Sequence, residues 1–185
     1  EPFARTGNAL IGHAVLERLK ESGDASPLRI LEIGAGTGGT TTCLIPQLPQ
    51  DRIEYTFTDV SQLFLRKARQ KFRDVSYLKY QLLDIERDPE TQGFAPTAFD
   101  VIVAANVLHA TSDLRQTLRN VKKLLAPGGV LLLLEGTAPQ RKTDLIFGLT
   151  GGWWKFADRD IRVSHPLVSA ETWKRLLREA GFGLA

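Results

Sequence analysis

The chain has 185 residues and a net charge of +3, and 43% of its residues are hydrophobic and 24% charged, as in an ordinary globular protein. That length suits one domain, and no apolar run approaches the roughly 20 residues that a membrane span needs. Cys43 is the only cysteine and no signal peptide opens the chain, so we expect a cytoplasmic protein without a disulfide framework or a metal cluster.

Apolar residues at helical spacing within residues 1–27 predict an N-terminal helix that ends at Gly23. Over residues 28–136, strand-like apolar runs alternate with helical segments. The predicted strands are PLRILEIGAG, RIEYTFTDVS, VSYLKYQLLD, FDVIVAANVLHA and VLLLLEG. The predicted helices are TTTCLIPQL, which Pro46 should end or kink, Gln62–Phe72, and SDLRQTLRNVKKLLA, which Ser112 or Asp113 should cap. Pro127-Gly128-Gly129 predicts a tight turn before the fifth strand.

The pattern changes after residue 136. Residues 137–166, rich in glycine, tryptophan and charge, predict an excursion over the sheet. Residues 167–185 predict a final helix capped by Ser169. A sheet of this type usually continues for one or two more strands, so we expect a C-terminus that is cut short. The sequence contains no methionine, which favours a single domain excised from a longer protein.

Alternating strands and helices, with strands of nearly continuous hydrophobicity, predict an α/β fold. We expect a Rossmann-like, doubly wound and mostly parallel sheet that carries helices on both faces. In such sheets ligands bind beyond the carboxyl ends of the strands, near the point where the strand order reverses. The site should therefore lie in the loops that follow the predicted strands.

The most basic stretch, Arg66 to Arg73, falls on the predicted helix Gln62–Phe72. A nucleic-acid groove would interleave aromatic side chains with the cations, and this stretch has only Phe72. We interpret it as a solvated helix face and expect no nucleic-acid partner. The positive charge leaves an acidic protein partner open.

A glycine-rich loop, LEIGAGTGGTT, joins the first strand to the next helix. Glycines allow a sharp turn and a close approach to a ligand, and a helix N-terminus favours negative charge. The spacing is ambiguous. Gly34, Gly36 and Gly39 fit the dinucleotide pattern GxGxxG, whereas Gly34, Gly36 and Gly38 fit GxGxG.

Three carboxylates near strand ends narrow the choice of ligand. Glu32, two residues before the first glycine, would repel a pyrophosphate but can accept hydrogen bonds from a cationic, amino-acid-like group. Asp59 ends the second predicted strand, where an acid can accept both ribose hydroxyls. Asp84 ends the third and could accept from an adenine amino group, with Ile85 against the ring, or it could simply be a cap.

These segments together resemble the class I S-adenosylmethionine (SAM)-dependent methyltransferases. The similarity is carried by LEIGAGTGG, TFTD, LLD, FDVIVAANVLH and LAPGGVLLLLE, in the family's order from Leu31 to Glu135. The resemblance implies SAM as cofactor and a set of cofactor-binding residues. They are Glu32, Gly34, Ala35, Gly36, Asp59, Val60, Asp84, Ile85 and Asn106. A nicotinamide-dependent dehydrogenase is the alternative on the glycines alone.

His109 and Glu135 follow the fourth and fifth predicted strands, which are neighbours in that topology. A carboxylate that accepts from one imidazole nitrogen fixes the tautomer and leaves the other nitrogen free to accept a proton. The pair then predicts a general base beside the methyl donor. Alternatively, His109 is a hydrogen-bonded histidine of the sheet's outer shell and Glu135 a solvent-facing strand terminator.

A narrower resemblance is to the methyltransferase domains of polyketide synthases, the carbon-methylating members above all. It is carried by NVLHAT, LLLLEGT, LIFGLTGGWWKFADRDIR and HPLVS. It implies His109 and Glu135 as the catalytic dyad, a β-ketoacyl thioester on an acyl carrier protein as substrate, and neighbouring synthase domains as partners. An oxygen-methylating synthase domain, a free-standing small-molecule methyltransferase and an inactive structural domain are the alternatives.

Large side chains of the 137–166 excursion are candidates for substrate contacts. Trp153, Trp154 and Phe156 could wall an acyl cavity or form a satellite core. Arg159 and Arg162 could meet carrier-protein acids or a phosphopantetheine phosphate, although we interpret both as ordinary surface arginines.

Overall fold

The computed structural model describes residues 2–23 and 26–183, with side chains from residue 5 onward. The helices are α1 (Pro2–Glu21), α2 (Gly39–Leu44), α3 (Gln62–Lys71), α4 (Leu114–Leu124), α5 (Arg141–Phe147) and α6 (Ala170–Glu179). The strands are β1 (Leu28–Ile33), β2 (Ile53–Asp59), β3 (Leu78–Leu82), β4 (Phe99–Ala105) and β5 (Leu125–Leu134). No helix in this described part of the chain is long and apolar enough to cross a membrane.

The five strands form one sheet in the order β3-β2-β1-β4-β5, and every neighbouring pair is parallel. The chain crosses from β3 on one edge to β4 beside β1, so the strand order reverses between β1 and β4. A crevice opens at the carboxyl ends of two such strands because their following loops leave in opposite directions. The predicted α/β, doubly wound fold is confirmed.

The central strands β1 and β4 are buried along most of their length because both faces of the sheet are covered. Ile30 and Val101 point into a core shared with α1, α2 and α3. Their chain neighbours Leu31 and Ile102 point into a second core under α4 and α6. This alternation places one helical layer on each face of the sheet.

The residues predicted to begin or end helices do so in the structure. Asp113 caps α4 by accepting from the Gln116 backbone N–H, and Ser169 caps α6 by accepting from that of Thr172. Pro46 lies in a 3₁₀ turn, Ile45–Gln47, that directly follows α2. A proline lacks the N–H that a continuing helix would use.

Three predictions about the second half of the chain are wrong. The fourth helix ends at Leu124 rather than Ala126, and the predicted turn at Pro127-Gly128-Gly129 lies inside β5. The pairing of β4 with β5 shifts register between Phe99 and Val101, and Gly128 takes a φ of 71°, so the strand absorbs this segment as a bulge.

The third wrong prediction concerns α5, which lies in the excursion where no helix was predicted. Its apolar side chains Leu145 and Ile146 are exposed, so α5 buries no apolar face. Prediction of a helix from the spacing of apolar residues depends on such a face. A tertiary contact holds α5 instead, because the Asp144 carboxylate accepts from His165 Nε2 at 2.9 Å.

Candidate active site

The backbone of the glycine loop after β1 lets neighbouring groups approach closely. Gly34 and Gly36 take φ values of 60° and 56°, where side chains are disfavoured. A Cβ on Gly34 would lie 2.1 Å from Cγ2 of Val107, in the turn after β4. The two loops that leave β1 and β4 therefore touch at the point where the strand order reverses.

A cavity of about 190 Å³ opens at this junction. Of the predicted cofactor residues, Glu32, Gly34, Ala35 and Asn106 line it. Asn8 of α1 and Thr40 of α2 also line it and hydrogen-bond each other at 3.2 Å. Sequence reasoning missed these two because neither stands at a strand end.

Glu32 supplies a buried carboxylate to this cavity, with 2% of the residue exposed. It accepts hydrogen bonds from the hydroxyl groups of Thr41 and Tyr55, the latter at 2.7 Å. Burial raises the pKa of Glu32 to about 7, and these hydrogen bonds oppose the rise only in part. A small cavity walled by such a carboxylate suits an ammonium group, so the residues fit the amino-acid end of SAM.

The raised pKa of Glu32 predicts a stability effect. Between pH 4.5 and about 7 the unfolded chain loses this proton while the folded chain keeps it, so stability falls as pH rises through that window. The loss amounts to about 3 kcal/mol in the free energy of unfolding. Denaturant unfolding of Glu32→Gln should lack this component, and the exposed Glu171→Gln should retain it. Equal pH slopes for Glu32→Gln and the wild type would contradict the prediction.

Asp59 ends β2, as predicted, and anchors the glycine loop. Its Oδ2 accepts from the Gly36 N–H at 2.9 Å, and its Oδ1 accepts from the Ser61 N–H at 2.8 Å. Each carboxylate oxygen retains a lone pair for a further donor. Val60, the next residue, is 69% exposed and lies beside this anchor at the surface.

The prediction that Asp84 ends a strand is wrong, because β3 stops at Leu82. Asp84 instead lies in a turn, where its Oδ1 accepts from the Glu86 N–H and the Gln92 carboxamide bonds its backbone N–H and C=O. Ile85 is 5% exposed and belongs to the core under α4. The contact of Ile85 with an adenine ring stays a prediction.

The structure brings His109 and Glu135 together. Nδ1 of His109 lies 2.6 Å from Oε2 of Glu135, and the two side chains are 9% and 2% exposed. Oε1 of Glu135 accepts from the backbone N–H groups of Val107 and Leu108 at 3.0 and 2.7 Å. The carboxylate is thus held by the same turn that carries the imidazole. Within the described residues, Nε2 of His109 has no hydrogen-bond partner.

His109 lines a second, larger cavity of about 540 Å³. Asn106, whose φ of 52° is unusual for a residue with a side chain, lines both cavities and so stands between them. The larger cavity has apolar walls at Phe147, Trp153 and Leu167. Trp153 packs edge-on against the His109 ring, with ring centroids 5.3 Å apart.

Of the three aromatic side chains predicted to contact substrate, only one lines this larger cavity. Trp153 does, but Trp154 and Phe156 are not among its lining residues. The Trp154 ring is partly exposed and donates its indole N–H to the Gly148 carbonyl. Phe156 is buried beneath the guanidinium groups of Arg159 and Arg162. For Phe156 the satellite-core interpretation is the one that fits.

A family model described as a methyltransferase domain matches residues 31–131, which is more than half of the chain. This chain belongs to the methyltransferase domain family. A polyketide synthase-nonribosomal peptide synthetase of Aspergillus clavatus is 50% identical over 157 residues, which cover 84% of this domain and 4% of that protein. The methyltransferase domain therefore spans only a small part of the curated relatives it matches.

Two solved structures extend the comparison. The CurJ carbon methyltransferase superposes on this methyltransferase domain with a TM-score of 0.92 at 50% identity, over 95% of this chain and 47% of that one. The trans-methyltransferase CalH, solved in complex with S-adenosylhomocysteine (SAH), gives a TM-score of 0.81 at 38% identity, over 97% and 51%. The domain is thus a class I SAM-dependent methyltransferase of the polyketide synthase type, and the dehydrogenase alternative is wrong.

Proposed function

We propose that this domain transfers a methyl group to the α-carbon of a β-ketoacyl thioester carried on an acyl carrier protein. One observation carries the proposal. His109, hydrogen-bonded to Glu135, lines a 540 Å³ cavity that shares Asn106 with the cavity of the glycine loop. A base and a methyl donor placed on either side of Asn106 could act on one carbon atom between them.

In this proposal His109 is the general base. Glu135 accepts at Oε2 from Nδ1–H, which leaves the Nε2 lone pair to remove the proton from the carbon between the two carbonyls. Glu135 then stabilises the imidazolium that forms. Because Oε1 of Glu135 is tied to backbone N–H groups, the carboxylate does not have to reorganise during the reaction.

When bound, SAM supplies a methyl group that is already activated on a sulfonium, so the protein has mainly to position the reactants and remove a proton. We propose that Glu32 holds its ammonium group and that Asp59 holds its ribose. The other proposed cofactor contacts are Gly34, Ala35, Gly36, Val60, Asp84, Ile85 and Asn106.

The size and the walls of the larger cavity favour an acyl group as the substrate. A volume of 540 Å³ lies within the usual range for small-molecule sites, and Phe147, Trp153 and Leu167 offer apolar walls to a carbon chain. The CurJ structure is of a carbon methyltransferase, which favours carbon over oxygen as the acceptor. The Aspergillus clavatus synthase matches this chain over only 4% of its own length, which supports neighbouring synthase domains and a carrier protein as partners.

The product of the reaction tests this proposal. The chain is incubated with SAM and with matched β-ketoacyl and β-hydroxyacyl groups on an acyl carrier protein, and fragmentation mass spectrometry then locates the added methyl. We expect one methyl group on the α-carbon of the β-ketoacyl chain and none on the β-hydroxyacyl chain, whose α-proton is far less acidic. A methyl group on oxygen in either substrate would contradict the proposal.

A further inference from the structure

Arg162 is the largest fully buried side chain of the described residues, with 1% of the residue exposed. This corrects the expectation that it is a surface arginine. Its Nε donates to Oδ1 of Asp158 at 2.5 Å, and the Asp158 side chain is 3% exposed. Burial removes the water around both charges, which costs free energy. The other hydrogen bonds of the pair have to offset that cost.

The remaining contacts lead to the catalytic turn. Nη1 of Arg162 donates to the carbonyl oxygen of His109, and Nη2 to that of Ser112, both at 2.9 Å. Oδ2 of Asp158 accepts from the backbone N–H of Leu114 at 3.0 Å. One buried ion pair thus binds three backbone groups over residues 109–114.

These bonds act on a different part of His109 from the ring contact with Glu135. Glu135 holds the ring at Nδ1, and Arg162 holds the backbone of the same residue at its carbonyl oxygen. A ring fixed at one point can still swing when its backbone moves. With the ring bonded to Glu135 and the backbone bonded to Arg162, the position of the ring relative to the cavity is fixed.

We propose that Arg162 and Asp158 are positioning residues that hold the backbone of His109 so that its ring meets both Glu135 and the substrate. The inference rests on the proposed function of His109 as the base. Buried ion pairs often stabilise a fold no better than apolar side chains of similar size, so a role in placing the turn explains why charge is used here. A planar guanidinium can serve three acceptors at once, which an ammonium on a flexible stem cannot do in the same geometry.

The test compares Arg162→Lys with Arg159→Lys in the full chain. Arg159 lies three residues away, is exposed and packs its guanidinium over Phe156, so it is a matched arginine without a contact to the turn. Arg162→Lys keeps the positive charge beside Asp158 but loses the planar guanidinium group that donates to three acceptors. We expect its kcat to fall on the order of 10-fold to 100-fold, because small displacements of a reacting group have effects of that size. Its Kd for SAM should stay near the wild-type value, and Arg159→Lys should match the wild type in both measurements.

A spectroscopic signature separates positioning from general damage. The 2.6 Å contact between His109 Nδ1 and Glu135 should give a downfield proton resonance in the wild type, and Arg162→Lys should shift or broaden it while the chain still melts cooperatively. Wild-type kcat and an unchanged resonance in Arg162→Lys would overturn the inference. If that variant does not fold, Asp158→Asn takes its place, and failure of both to fold would also overturn it, since the pair would then serve the fold.

The inference and the proposed function fail separately. If His109→Ala keeps wild-type turnover, the proposed function fails. If His109→Ala loses turnover and Arg162→Lys does not, only the positioning role fails.

Discussion

Replacing His109 by alanine should lower kcat by about 10²–10⁴-fold, the contribution of a positioned general base. The α-proton would then lack a positioned acceptor, because Glu135 is not among the residues that line the 540 Å³ cavity and could not replace the imidazole there. The Kd for SAM should change little, because His109 is not among the residues that line the glycine-loop cavity.

The measurement is single-turnover methyl transfer together with isothermal calorimetry of SAM binding. His13→Ala is the matched control, because His13 is exposed on α1 and no hydrogen bond links it to either cavity in the described residues. A His109→Ala variant that turns over within a few fold of the His13→Ala control would contradict the assignment of the base.

The second large effect is expected for Glu135→Gln, with a loss of about 10²–10⁴-fold in kcat. An amide cannot reproduce what the carboxylate does here. If the amide oxygen stays with the N–H groups of Val107 and Leu108, its NH₂ faces Nδ1, and the ring must carry its proton on Nε2. If the amide is flipped, its NH₂ meets two backbone donors.

The first arrangement places the proton on the nitrogen that should accept one, and the second loses two buried hydrogen bonds. Methyl transfer is measured together with thermal unfolding, so that a loss of fold is recognised. Glu171→Gln, which removes an exposed carboxylate at the start of α6, should behave as the wild type. Near wild-type turnover in Glu135→Gln would rule out a tautomer-fixing role for Glu135.

The sequence alone predicted the sheet well because each strand carries its own signal. Strands covered on both faces are rich in apolar side chains, and β1, β2 and β4 are buried at all but one or two positions. The topology also predicted that His109 and Glu135 lie close together, since both residues lie just beyond the ends of adjacent parallel strands. Those parts of the site that stand at strand ends were therefore predictable.

Other parts of the site depend on tertiary contacts that no local pattern encodes. Tyr55 reaches Glu32 across paired strands, and Asn8 reaches the cavity from a helix about 25 residues earlier in the chain. Asp84 was misplaced because β3 ended two residues early, which is the usual uncertainty of a strand boundary.

Arg162 was misjudged because arginine is rarely buried without partners, and its partners are carbonyl oxygens that any residue could supply. The usable signal was Asp158, which stands four residues earlier and forms the ion pair. An acid and an arginine at that spacing are common on solvated surfaces, so the spacing did not by itself predict burial.

Deuterium exchange at the substrate's α-carbon tests the central claim most directly. The chain is mixed with a β-ketoacyl group on its carrier protein in deuterated buffer, with SAH in place of SAM, and the label is followed by mass spectrometry. We expect the wild type to exchange the α-proton well above the buffer rate and His109→Ala not to do so. Equal exchange by the two proteins, or none by the wild type, would contradict it.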